Sequence, residues 1–129
     1  MKTLDIRTRS GEEIFDLTSE VQGVVVSSGI KDGLCLVFVP HTTAAVTINE
    51  NADPNVRADI LTALRRAVPD SLPYAHSEGN SPAHIKASLI GSSVTVIVEA
   101  GRLLLGTWQG IQFCEFDGPR SRKLYIQVL

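Results

Sequence analysis

The chain has 129 residues, the size of one domain and too short for two ordinary ones. With 43% hydrophobic and 20% charged residues it can bury a core, and with only 5% aromatics that core must be aliphatic. A formal net charge of -2, from 12 basic and 14 acidic residues with no long basic run, argues against a nucleic-acid partner, because phosphate neutralisation needs clustered Lys and Arg.

In chain order, Thr3–Thr8 alternates apolar and polar residues as a strand does, and a turn follows at Ser10–Gly11. Thr18–Ser28 reads as a helix with Thr18 as its cap, an apolar face of Leu17, Val21, Val24 and Val25, and glycines 29 and 33 at its end. Leu34–Val39 is a buried strand bounded by Gly33 and Pro40, and Ala44–Ile48 a second extended segment. Asp53–Val68 has the strongest helical pattern: Asp53 caps it, Pro54 sits where its missing N–H costs nothing, and Val56, Ile60, Leu61, Leu64 and Val68 form the stripe.

Residues 71–80 are irregular and polar. Ser81–Leu89 reads as a short helix with Ser81 as cap and Pro82 in its first turn. Val94–Val98 is a β-branched strand, Gly101–Gly110 holds a turn or hairpin, and Ile111–Phe116 and Lys123–Leu129 are strands joined across Asp117–Gly118–Pro119. Strands outnumber helices and short turns join most neighbours. The expected fold is therefore one α+β domain over 1–129, a mainly antiparallel sheet or sandwich with two or three helices.

The N-terminal stretch is too charged for a signal peptide. No run reaches the ~18 apolar residues that span a bilayer. Cys35 and Cys114 lie far apart in apolar strands, without metal or disulfide spacing, and read as buried small hydrophobes. These features point to the cytoplasm and away from a membrane.

Residues able to do chemistry gather at segment ends. All three histidines, His41, His76 and His84, fall between positions 41 and 84. Converging, they would suit a divalent metal such as zinc or magnesium. Their spacing matches neither HExxH nor a zinc finger, so ordinary hydrogen-bonding roles at strand and helix ends stay open. Glu50 precedes a helix cap at a strand end, where a general acid or base often stands, and Asn51 is its neighbour. Trp108 and Gln109 lie between Gly106 and Gly110; the sole tryptophan suits either a structural anchor or a platform for a flat ring. Arg120, Arg122 and Lys123 form the densest basic spot, fit for a small phosphate-bearing ligand or for solvent. No phosphate-binding glycine fingerprint and no nucleophile signature is present.

Four motifs carry a family resemblance: His41–Asn51 (HTTAAVTINEN), Tyr74–His76 with Asn80–Ser88 (NSPAHIKAS), Leu105–Ile111 (LGTWQGI) and Glu115–Arg120 (EFDGPR). In this order, over essentially the whole chain, they resemble the YjbQ-like family, whose members are credited with a secondary thiamine-phosphate synthase activity. Pro82 departs from a more variable triplet before the motif histidine and can donate no hydrogen bond. The resemblance implies a homotrimer of compact α+β subunits with a cleft near the subunit interface. It implies joining of a pyrimidine diphosphate to a thiazole phosphate. Carried over by position, His41, Glu50, Asn51 and His84 are catalytic candidates. Trp108, Gln109 and Arg120 contact substrate, and His41, His76 and His84 are the metal candidates. Two other functions remain open: a metal-dependent hydrolase of a small metabolite, and a non-enzymatic metabolite-binding trimer.

Overall fold

The computed structural model describes residues 1–129. Five strands, β1 (Lys2–Arg7), β8 (Ser121–Val128), β3 (Gly33–Phe38), β5 (Ser93–Glu99) and β6 (Arg102–Leu103), form one antiparallel sheet in that spatial order. A second antiparallel sheet has β7 (Gln109–Glu115) between β2 (Glu13–Asp16) and β4 (Ala44–Glu50). Helices α1 (Thr18–Ser28), α2 (Pro54–Ala67) and α3 (Ser81–Ile90) complete the α+β fold.

The period-2 alternation of the strands sets the layers. Cys35 and Val37 of β3, Val96 and Val98 of β5, and Leu124 and Ile126 of β8 point to one face and meet Ala44 and Val46 of β4 and Ile111 and Phe113 of β7. Leu17, Val21 and Val25 of the first helical segment join this core. Phe113, wholly buried, packs on Phe15 with ring centroids 5.4 Å apart. Burying one such side chain contributes about 1.5–3 kcal/mol. On the other face of the smaller sheet, Ile14, Ala45 and Cys114 pack against Ala83 and Ala87 of α3 and Ile60, Leu61 and Leu64 of α2. The central strand β7 is thus covered on both sides, which explains its unbroken burial from Gly110 to Glu115.

Several local readings need correction. The cap of α1 is Leu17, and the capping carboxylate belongs to Asp16, which accepts from the Thr18 N–H (2.9 Å) and hydroxyl (2.5 Å). The Thr18 hydroxyl oxygen accepts instead from the Ile111 N–H and ties the helix to β7. Asn80, not Ser81, precedes α3, and its side chain is drawn away to Asp117 rather than capping the helix. Asp53 does cap α2, accepting from the Asn55 N–H at 2.9 Å. Two strands escaped the pattern: β2, four residues long with Ile14 and Phe15 serving opposite layers, and the two-residue β6, turned back on β5 through Ala100 and Gly101 at positive φ.

The outer face of the five-stranded sheet has no helix over it. Leu34, Leu36, Phe38 and Ile97 are exposed there, beside Tyr125, whose ring centroid lies 6.4 Å from that of Phe38. No helix is long and apolar enough to cross a membrane.

Candidate functional site

The end of the sandwich where β7 stops and β8 begins holds a buried polar cluster. Glu115, the last residue of β7, faces the space between the sheets and is fully buried. Its carboxylate accepts from the Thr8 hydroxyl (2.8 Å), the Arg122 Nε (2.8 Å), the Arg122 Nη2 and the Asp117 N–H (3.0 Å). Arg122 Nη2 also donates to the Thr43 hydroxyl oxygen at 2.8 Å. Burial alone would push the Glu115 carboxyl up, but the bonds from Arg122, the Asp117 backbone and Thr8 outweigh it and hold it below the usual range. Arg122, which the sequence left open to solvent, is thereby a buried cation with its side chain 3% exposed.

This cluster sets the wall of a cleft of about 560 Å³, lined by Pro40, His41, Thr42, Thr43, Ser92, Arg120 and Arg122 among others. No carboxylate lines it. Arg120 is steered by Asp117, to whose carboxylate it donates at 2.9 Å and to whose carbonyl at 2.8 Å. The same carboxylate accepts from Asn80 Nδ2 at 3.0 Å.

His41 stands at the rim. The pairing of β3 with β8 stops at Phe38↔Tyr125, and the Lys123 N–H beyond it donates to His41 Nε2 at 2.8 Å. Partial burial, then the positive charge of Arg122, lowers the His41 pKa. A neutral ring accepting at Nε2 carries its proton on Nδ1 and offers a donor there.

The other sequence candidates divide. His76 and His84 pair edge to face, ring centroids 5.5 Å apart, with Glu78 3.9 Å from His76. Glu50, Asn51, Trp108 and Gln109 gather at the opposite end of the smaller sheet. Asn51 N–H donates to the Trp108 carbonyl, Gln112 Nε2 to the Glu50 carbonyl, and Arg57 to the Asn51 carbonyl. Gly110 leaves the room Asn51 fills: a Cβ there would stand 2.4 Å from Asn51 Cγ. Trp108 is 64% exposed. The seven residues of β4 separate this group from His41 by about 20 Å within one chain.

No group of three His, Cys, Asp or Glu side chains stands close enough in one chain to hold a metal ion. His41 has Nε2 committed to a backbone N–H, while His76 and His84 pair with each other beside Glu78.

Sequence reasoning did not select Glu115 or Thr43 as site residues, and offered Arg122 only within a basic spot fit for a phosphate-bearing ligand or for solvent. The one available signal was a Glu closing an otherwise apolar strand, followed seven residues later by an Arg. That pairing becomes visible only when two sheets are stacked.

The family model described as UPF0047 protein YjbQ-like matches residues 2–129. The chain is 51% identical over 130 residues to the UPF0047 protein YugU of Bacillus subtilis, covering all of this chain and 98% of that protein. It is 50% identical over 124 residues to a UPF0047 protein of Methanocaldococcus jannaschii, covering 96% of this chain and 90% of the other. Among solved structures, an uncharacterized conserved protein of the YjbQ/UPF0047 family from Clostridium acetobutylicum superposes with a TM-score of 0.98 at 51% identity, each chain covered in full. A YbjQ-like protein of unknown function from Sulfolobus solfataricus gives a TM-score of 0.94 at 35% identity, covering 98% of this chain and 94% of that one.

Proposed function

The chain belongs to the UPF0047 YjbQ-like family, and from that membership and the cleft beside His41 we propose that it is a transferase of the thiamine-phosphate synthase type, joining a pyrimidine diphosphate to a thiazole phosphate. The observation that supports this reading most is a cleft offering two arginines, a neutral imidazole and the hydroxyls of Thr42, Thr43 and Ser92, with no carboxylate among its lining residues. Such a wall favours a phosphorylated metabolite over a cationic one.

In the reaction, the carbon–oxygen bond to the diphosphate breaks and both electrons leave with pyrophosphate. The thiazole nitrogen lone pair forms the new carbon–nitrogen bond, and no proton need move. The requirement is to stabilise charge growing on the leaving group. Arg120, held by Asp117, and Arg122, held by Glu115, are oriented before substrate arrives, so little reorganisation is needed at the moment of bond breaking. His41, neutral with its proton on Nδ1, donates without competing for a proton. No step here runs through a metal. Glu50, Asn51, Trp108 and Gln109 stay outside this cleft within one chain, and a role for them requires an assembly that brings the two ends together. The reading takes the protein as a cytoplasmic homotrimer.

The test is turnover with both substrates, following pyrophosphate release and thiamine phosphate by chromatography. Arg120→Ala should lower kcat about 100-fold while circular dichroism stays unchanged. Absence of product above the blank, or an unaffected Arg120→Ala, refutes the reading. Phosphate release from simple esters without the thiazole partner would instead identify a hydrolase, and saturable binding without product a binding protein.

A further inference from the structure

A second cleft, of about 360 Å³, opens on the other side of His41. It shares His41 and Arg122 with the first and adds Arg7, Ser121, Lys123 and Asp5. We propose that it is a phosphate subsite, so that two phosphate groups are held at once, one on each side of His41. The proposal rests on the reading of the first cleft as an anion site and adds to it a place for the second phosphate group, whether of a second substrate or of one molecule carrying two.

The register of β1 and β8 builds this subsite. Arg7 pairs with Ser121 and Asp5 with Lys123, so all four side chains stand on the same, outward face. Arg7 donates to the Ser121 hydroxyl oxygen at 3.0 Å and has no carboxylate within ion-pair distance. It is a cation whose charge is unmatched. Lys123 is paired with Asp5 at 2.8 Å, but both are open to water, Asp5 at 83%. An exposed pair of this kind contributes little, so a doubly charged phosphate can displace Asp5 and take Lys123 at small cost.

His41 forms the wall between the clefts and is fixed by the Lys123 N–H, so the backbone of the second subsite positions the donor shared with the first. Two phosphate groups then stand about one ring held by a backbone hydrogen bond, which makes their separation selective. A ligand whose phosphates match that span gains by effective concentration; a shorter or longer one does not.

The experiment uses the whole protein and isothermal titration, with inorganic phosphate and a series of α,ω-alkanediol bisphosphates of graded length as probes. One length should bind tighter than phosphate by about tenfold or more. The Arg7→Ala/Lys123→Ala double variant, confined to exposed side chains, should remove that gain together with the phosphate bound in the second cleft, leaving only the Arg120-dependent phosphate site. Arg120→Ala should weaken both kinds of probe. If phosphate binds through Arg120 but no length gains, or if the gain survives the double variant, the second subsite is wrong and the first stands. If phosphate does not bind at all, the anion reading of the first cleft fails and this proposal with it.

Discussion

Replacing Glu115 by Gln puts the most weight on a single buried interaction. The change is nearly isosteric, yet it removes the only carboxylate facing the Arg122 guanidinium, whose side chain is 3% exposed against 0% for Glu115. It also disturbs the bonds from Thr8 and from the Asp117 N–H. An uncompensated buried charge costs about 3–5 kcal/mol, a large part of the 5–15 kcal/mol that typically holds a domain together. The expected result in urea denaturation is a lower midpoint with an unchanged slope, corresponding to a loss of about 3–5 kcal/mol. The double variant Glu115→Leu/Arg122→Met removes both charges and should recover most of that loss, since apolar replacement of a buried pair is often neutral or stabilising. A loss under about 1 kcal/mol in the single variant, the value of an exposed pair, would refute the reasoning. So would a double variant no more stable than the single.

Acid should destabilise the protein. Glu115, Glu12 and Asp16 all have folded-state pKa values below their ordinary ones: burial acts against this, and hydrogen bonds from Arg122, Lys86 and Thr18 respectively overcome it. Their stabilisation is complete above the ordinary carboxylate range and is lost as pH falls through the folded values; His41, lowered chiefly by burial, adds the same sign just below its ordinary pKa. Thermal melts should therefore show Tm falling from neutrality toward pH 4, and a flat profile would contradict this. Gly110→Ala should cost about 1–3 kcal/mol, because the new methyl must displace Asn51 from Gln112 and Arg57; denaturation midpoints decide it. Cys35 and Cys114 are buried with thiol pKa values pushed up to about 11 and about 12 by burial. Iodoacetamide at pH 8 should leave both unmodified until the protein unfolds, as read by mass spectrometry.

The longer elements were legible from the sequence. α2 announces itself by a proline in its first turn, a capping aspartate and a regular stripe, β3 by a continuous apolar run and β5 by a β-branched one. What escaped were the two shortest strands, β2 and β6. β2 spends Ile14 on the helical side and Phe15 on the sheet side, so four residues show no excess on either face. The site was half legible. His41 and Arg120 could be named because polar residues at strand ends are conspicuous, but Arg122 looked like a solvated neighbour of Lys123. Alternation separates them: Lys123 points outward and Arg122 inward, toward a Glu115 that belongs to the other sheet. Within one chain Glu50 and Trp108 stand apart from His41, since the two ends of β4 are close in sequence and a strand length apart in space.

The central claim is that the donor-lined cleft between His41 and Arg120 holds the leaving diphosphate. Nitrogen-15 NMR during titration with pyrophosphate tests it most directly. Saturable shifts should appear at the His41 ring and at the Thr42, Thr43, Ser92 and Arg120 resonances, with the Trp108 indole unmoved. Shifts confined to Glu50, Asn51 and Trp108, or none anywhere, would contradict the account.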